Sequence, residues 1–264
     1  MSERPRPRET GGDTGAGLPQ LRTGHAFAHT PHRSDGRPPQ TPRGSRRPDP
    51  GGRPGTIPPV PGRPATPLLR PALAALLPLL ALVLTTWQVL VSGPLLGPDE
   101  ALSRAVVRSV PDAVTERLAD LGNVPVAVPV LALAMAYSVR RSGRWAPALT
   151  AALAMALVPA LVVPLKQWTA RPGPLEPWAA GYYPSGHTAT AAVAYLGAAL
   201  LVRPYVRRPW PTAVALALTG ATAVGLVLRG FHWPLDVLAS ALLCVPLLLA
   251  VDRGARRYGP RTPS

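Results

Sequence analysis

The chain has 264 residues, a formal net charge of +15 and one cysteine, Cys244, which excludes an intramolecular disulfide framework and a thiolate-held metal centre. The basic excess lies in an arginine-rich N-terminal stretch and in short loops between apolar runs. That is how membrane topology is written, so no nucleic-acid partner is expected.

Residues 1–70 are mostly Pro, Arg, Gly, Thr and other polar types, with no apolar periodicity and no run able to bury a core. A disordered cytoplasmic tail is expected there. Its twelve arginines against five acidic residues point to anionic lipid headgroups as its neighbour. From Pro71 onward the sequence turns to long Ala/Leu/Val stretches. The first is too long for a signal-peptide core and lacks a short basic leader, so an uncleaved anchor is expected.

Length and hydropathy predict six spans: Pro71 to Ser92, Leu121 to Val139, Trp145 to Leu165, Thr188 to Val202, Pro211 to Leu228 and Leu235 to Val251. The fourth is short for a span. Internal prolines such as Pro129, Pro159 and Pro164 are tolerated where neighbouring helices re-satisfy the backbone. The expectation is an all-α, six-span membrane domain over 71–252, followed by a basic cytoplasmic segment, 253–264. Between the first two spans, Leu102, Val106, Val107, Val110, Val114 and Leu118 alternate with charged residues. This suits either a helix lying along the membrane surface or a solvent-exposed helical hairpin.

The tail, Arg140 to Arg144, Arg203 to Arg208 and Arg253 to Arg261 fall on one side of such a chain, which the positive-inside rule makes cytoplasmic. Both termini are then cytoplasmic. The loop 166–187 and the turn around Arg229 to His232 face outward.

Those outer segments carry the chemistry-bearing side chains. Lys166 is the only lysine in the chain and closes the third span, with Arg171 following; either cation alone also serves as an interfacial anchor. Ser185 and Gly186 precede an apolar run, so Ser185 is placed to cap a helix whose free N–H groups form an anion site, although Pro-Ser-Gly is also an ordinary turn. His187 stands beside them. His232 and Asp236 are four apart, so on a helix starting near His232 the carboxylate reaches one imidazole nitrogen and leaves the other free as nucleophile or base. Ionisable groups near membrane depth are functional hypotheses by default.

Taken together, Pro184-Ser185-Gly186-His187, the His232 and Asp236 pair and Lys166 with Arg171-Pro172 resemble the type 2 phosphatidic acid phosphatase (PAP2) superfamily. Its members include lipid phosphatases, undecaprenyl pyrophosphate phosphatases and, in soluble form, vanadium haloperoxidases. The family pattern is Lys, six residues, Arg-Pro; then Pro-Ser-Gly-His; then Ser-Arg, five residues, His, three residues, Asp. With Lys166 aligned, the pattern's arginine falls on Gly173; with His232 aligned, its Ser-Arg pair falls on Gly225-Leu226. Arg229 shares a helical face with Leu226 and stands one turn nearer the surface.

The resemblance implies a bundle of PAP2/haloperoxidase type and a membrane-bound hydrolase acting on a lipid phosphate or pyrophosphate, of prenyl or glycerolipid kind, at the extracytoplasmic face. By that resemblance His232 is the nucleophile that becomes phosphohistidine, Asp236 orients it and His187 is the acid and base. Lys166, Arg171, Ser185, Gly186 and Arg229 hold the phosphate. No carboxylate cluster of metal-ligand type accompanies these residues, so neither a metal nor another cofactor is expected. The displaced arginines support a second reading, a catalytically silent membrane protein that binds lipid phosphate headgroups. Oligomeric state is not written in these motifs.

Overall fold

The computed structural model describes residues 69–206 and 208–258. The expected disordered tail lies outside the described residues except for its last two positions, as does the end of the basic C-terminal segment. All regular structure among the described residues is helical.

Helix α1 (Leu69–Leu90) is followed by two short helices, α2 (Leu96–Val106) and α3 (Asp112–Asp120). Then come α4 (Val124–Ser142) and α5 (Ala146–Thr169), joined by a tight turn in which Gly143 takes φ +66°. A left-handed residue at that position ends a helix by satisfying its last carbonyls, here through Gly143 N–H to Val139 O at 2.8 Å. After a loop, α6 (Gly186–Ala191), a π-helical turn (Ala192–Leu196) and α7 (Gly197–Val202) form one interrupted rod. The chain ends in α8 (Trp210–Arg229) and α9 (Pro234–Tyr258), which runs six residues into the segment expected as a tail.

Among the described residues, five stretches are long and apolar enough to cross a membrane: 73–90, 112–142, 146–169, 210–229 and 234–258. With several such helices, this is a multi-pass membrane protein. The rod 186–202 coincides with the predicted fourth span, and its shortness has a physical reason. Ala189, Ala191, Ala192, Val193 and Ala194 are buried, as are Gly197, Ala198 and Ala199, so the rod is surrounded by other helices. Small side chains let those neighbours approach closely, and a helix that meets no lipid needs neither the length nor the bulk of one that does. The π turn places Tyr195 where its hydroxyl donates to Leu121 O at 2.6 Å.

The segment 97–120 is a helical pair, broken where Arg108 adopts φ +59° and Pro111 precedes α3. Its inward face is small and polar: Asp99, Ser103, Thr115 and Ala119 are buried, while Leu102 and Val114 are about half exposed. The outward face mixes apolar residues such as Leu102 and Val114 with charged ones such as Arg104, Glu116 and Arg117, while the inward ones bond to the bundle.

Candidate functional site

One end of the bundle gathers the start of α4, the end of α5, the start of α6 and the α8–α9 turn. Between them is a cavity of about 870 Å³ whose walls include Lys166, His187 and His232. The sequence places these residues up to 66 positions apart, and the fold brings both imidazoles and the lysine to one space.

His232 precedes α9, and the helix itself starts two residues later, at Pro234. The four-residue spacing to Asp236 still works: His232 Nδ1 lies 3.3 Å from Asp236 Oδ2. A carboxylate only accepts, so the imidazole proton resides on Nδ1 and Nε2 keeps its lone pair. The same oxygen accepts the Trp233 N–H at 3.0 Å, and Oδ1 accepts from Arg171 Nη1 at 2.7 Å. Asp236 is fully buried and His232 nearly so.

His187 meets Asn123, with Nε2 and Oδ1 2.8 Å apart. The Asn123 Nδ2 donates to Asp120 at 2.8 Å, which turns its oxygen toward the imidazole and makes His187 Nε2–H the donor. Asn123 occupies the N-cap position of α4 yet makes no side-chain cap bond. Its amide is used on the histidine instead.

Ser185 caps α6, accepting the Thr188 N–H at 3.3 Å and the Thr188 hydroxyl at 3.1 Å. Its own N–H donates to Asp236 O at 3.0 Å, and Ser240 donates to Ser185 O at 2.7 Å, which fastens the Pro-Ser-Gly-His turn to α9. Gly186 lines the cavity, whereas Ser185 lies fully buried behind it. The Lys166 ammonium donates to Gly181 O at 2.6 Å and also lines the cavity.

Two of the expected phosphate ligands are placed differently. Arg171 is behind the cavity wall, 5 % exposed, with Nη1 on Asp236 and Nη2 on Asp99 at 2.5 Å. Its face covers the Trp233 ring at 5.2 Å, and Trp233 Nε1 donates to Pro172 O at 2.8 Å. Asp99 also accepts the Leu235 N–H at 2.8 Å. Burial pushes the Asp99 carboxyl up, opposed by its bonds to Arg171 and Leu235. Arg229 pairs with Asp112 at 3.1 Å, lies over the Phe231 ring at 5.2 Å and is not among the residues lining the cavity. The expectation that Arg229 reaches the phosphate from one turn beyond Leu226 therefore has no support in this arrangement. Leu226 itself is 1 % exposed.

Sequence reasoning missed Asp99, Asn123 and Tyr182. Tyr182 lines the cavity, stands edge-on to the His232 ring at 5.8 Å and donates its hydroxyl to Glu176. An asparagine just before a span was the one available signal for Asn123. Nothing in local spacing marks the other two.

Fold and site thus define a multi-pass, all-helical membrane protein with a two-histidine cavity at one end of its bundle. Residues 147–257 match the family model described as the PAP2 superfamily. Among solved structures, the chain is similar to the "first transmembrane PAP2 type phosphatidylglycerolphosphate phosphatase from Bacillus subtilis", with a TM-score of 0.62 and 21% identity over 72% of this chain and 100% of that one. At that identity the likeness establishes the fold. No curated protein matches the chain.

Proposed function

We propose that this protein is a lipid phosphatase that hydrolyses a phosphate or pyrophosphate group at the extracytoplasmic face of the membrane. One observation carries the reading: Lys166, His187 and His232 share a cavity whose wall along α5 is apolar. That wall includes Val162, Val158 and Met155 on α5, so it extends about 16 Å along the helix axis from Lys166. A headgroup held by the polar end would leave room for a prenyl or acyl chain along the apolar side.

In the proposed reaction His232 Nε2 attacks phosphorus, and the bond to the leaving oxygen breaks as His187 protonates it. The phosphohistidine is then hydrolysed by water that His187 deprotonates. Asp236 holds the His232 tautomer and offsets the charge that develops on its ring. Lys166 and the amides at the start of α6 face the gathering negative charge. Arg171 acts through Asp236, as a positioning residue. No step needs a divalent ion, so chelation should leave turnover unchanged.

The outward orientation rests on the arginines. Arg140, Arg141, Arg203, Arg253, Arg256 and Arg257 lie at helix ends opposite the site, as the positive-inside rule requires of the cytoplasmic side. The loop after α5 then faces out, and the site with it.

Phosphate release from undecaprenyl pyrophosphate, phosphatidate and phosphatidylglycerophosphate by the purified chain tests the reading, and release from at least one that vanishes in His232→Ala is expected. The second reading, a silent headgroup-binding protein, is favoured by one observation: both Nη atoms of Arg171 are already engaged by carboxylates. Vanadate binding that needs His232, without release from any lipid, would establish that alternative.

A further inference from the structure

The cavity is poor in positive charge. Lys166 is the only permanently cationic residue among those lining it. The Arg171 guanidinium lies between two carboxylates, Asp99 and Asp236, so this buried group carries one more negative charge than positive when both are ionised. Lys166 supplies one positive charge, and His187 adds a second only while it is protonated to serve as acid. The buried triad removes one. Asp120, bonded to Asn123, and Glu176, bonded to Tyr182, add further negative charge around the cavity, so the site as a whole presents little net positive charge to whatever enters.

Tyr182 closes the place where more charge could stand. A Cβ on Gly173 would lie 2.5 Å from the Tyr182 Cζ and within 2.8 Å of two further ring atoms, so the phenol is seated directly on the glycine and no side chain fits beneath it. In the family pattern stated above, this is the arginine position. The ring stands edge-on to His232, and its hydroxyl donates to the Glu176 carboxylate. Burial, and then the bond to Glu176, push the phenol up to about 12, so it remains an uncharged wall at any working pH. A second negative charge on the ligand would find no cation there and a carboxylate nearby.

We propose that this pocket selects a phosphate group bearing one negative charge, and that Tyr182, seated on Gly173, is the residue that sets this preference. The proposal rests on the anion-pocket part of the phosphatase reading. Two sources share the chemistry: a singly protonated phosphomonoester and a phosphodiester. Pyrophosphates and fully ionised monoesters are disfavoured.

The test is calorimetric titration of the full chain in neutral detergent micelles with two probes, dodecylphosphonic acid and its monomethyl ester. At about pH 9 the acid carries close to two charges and the ester one, whereas at about pH 5.5 both carry one. The wild type is expected to bind the ester at least tenfold more tightly at the higher pH, with the gap closing at the lower. In Gly173→Arg/Tyr182→Ala, where a guanidinium has space, the gap should shrink tenfold or reverse. Tyr182→Ala alone should narrow it at least threefold, and Tyr182→Phe, which keeps the wall, should preserve it.

Equal affinities at the higher pH would overturn the proposal, as would a gap that persists at the lower pH and so reports shape. A gap in Tyr182→Ala as wide as in the wild type would remove Tyr182 from it, even if the double variant does not fold. Turnover is read separately. If no lipid phosphate is hydrolysed, the phosphatase reading fails while the binding contrast still decides the charge preference. The ratio of monoester to diester turnover against pH distinguishes the two sources, because only the monoester has a second ionisation, near about pH 6.

Discussion

Asp99 and Arg171 meet at 2.5 Å across 72 residues of sequence, and the other Nη of that arginine lies 2.7 Å from Asp236. One buried guanidinium therefore joins α2, the loop after α5 and α9 behind the His232 ring. Removing one partner leaves a buried charge uncompensated, at a cost of about 3–5 kcal/mol. Arg171→Ala is expected to lower the unfolding midpoint in detergent accordingly. Arg171→Lys should recover little, because a single ammonium cannot span two carboxylates as a planar fork does.

His187 is expected to act as the acid for the leaving oxygen. His187→Ala should reduce turnover of an alkyl phosphate by about 10²–10⁴. With p-nitrophenyl phosphate, whose leaving group needs little protonation, the loss should be far smaller. Equal losses on both substrates would contradict the role.

Asn123 orients that imidazole by accepting its Nε2 proton. Asn123→Leu should lower kcat with little change in KM. Asn123→Asp sets a carboxylate against the ring, which favours the protonated form, so the alkaline limb of the kcat profile should move to higher pH by about one unit. A purely structural role would lower stability and leave the limb in place.

Gly225 stands at the pattern's serine position and is held by packing. A Cβ there would lie 2.6 Å from the Leu118 Cβ and 2.7 Å from the Ala119 nitrogen. Gly225→Ser is therefore expected to cost about 1–3 kcal/mol by forcing α3 away from α8, rather than to improve phosphate binding. Thermal unfolding and a vanadate titration on the same sample separate the two outcomes.

Cysteine labelling checks the orientation, since the native Cys244 is fully buried and gives no background. Trp178→Cys, at an 81% exposed position in the loop before α6, should react with a membrane-impermeant maleimide in intact cells. Arg141→Cys should react only after lysis. The reverse pattern would place the site on the cytoplasmic side.

Much of the architecture was legible from local features. Each predicted span coincides with a helix or, at 186–202, with an interrupted rod, because apolar length is a property of contiguous sequence. His232 and Asp236 were legible as a pair, since four residues is a contact distance even when the helix starts two residues late. The turn at Ser185 was legible for the same reason: a cap is made by its own neighbours.

The spans, the cap and the His232–Asp236 pair follow from local sequence, because each depends on residues within a turn or two of one another. Long-range packing alone sets Arg171 between Asp99 and Asp236, pairs Arg229 with Asp112 and rests Tyr182 on Gly173. Whether a cation is free for a ligand depends on which carboxylate the chain path brings beside it, and periodicity carries no information about that path.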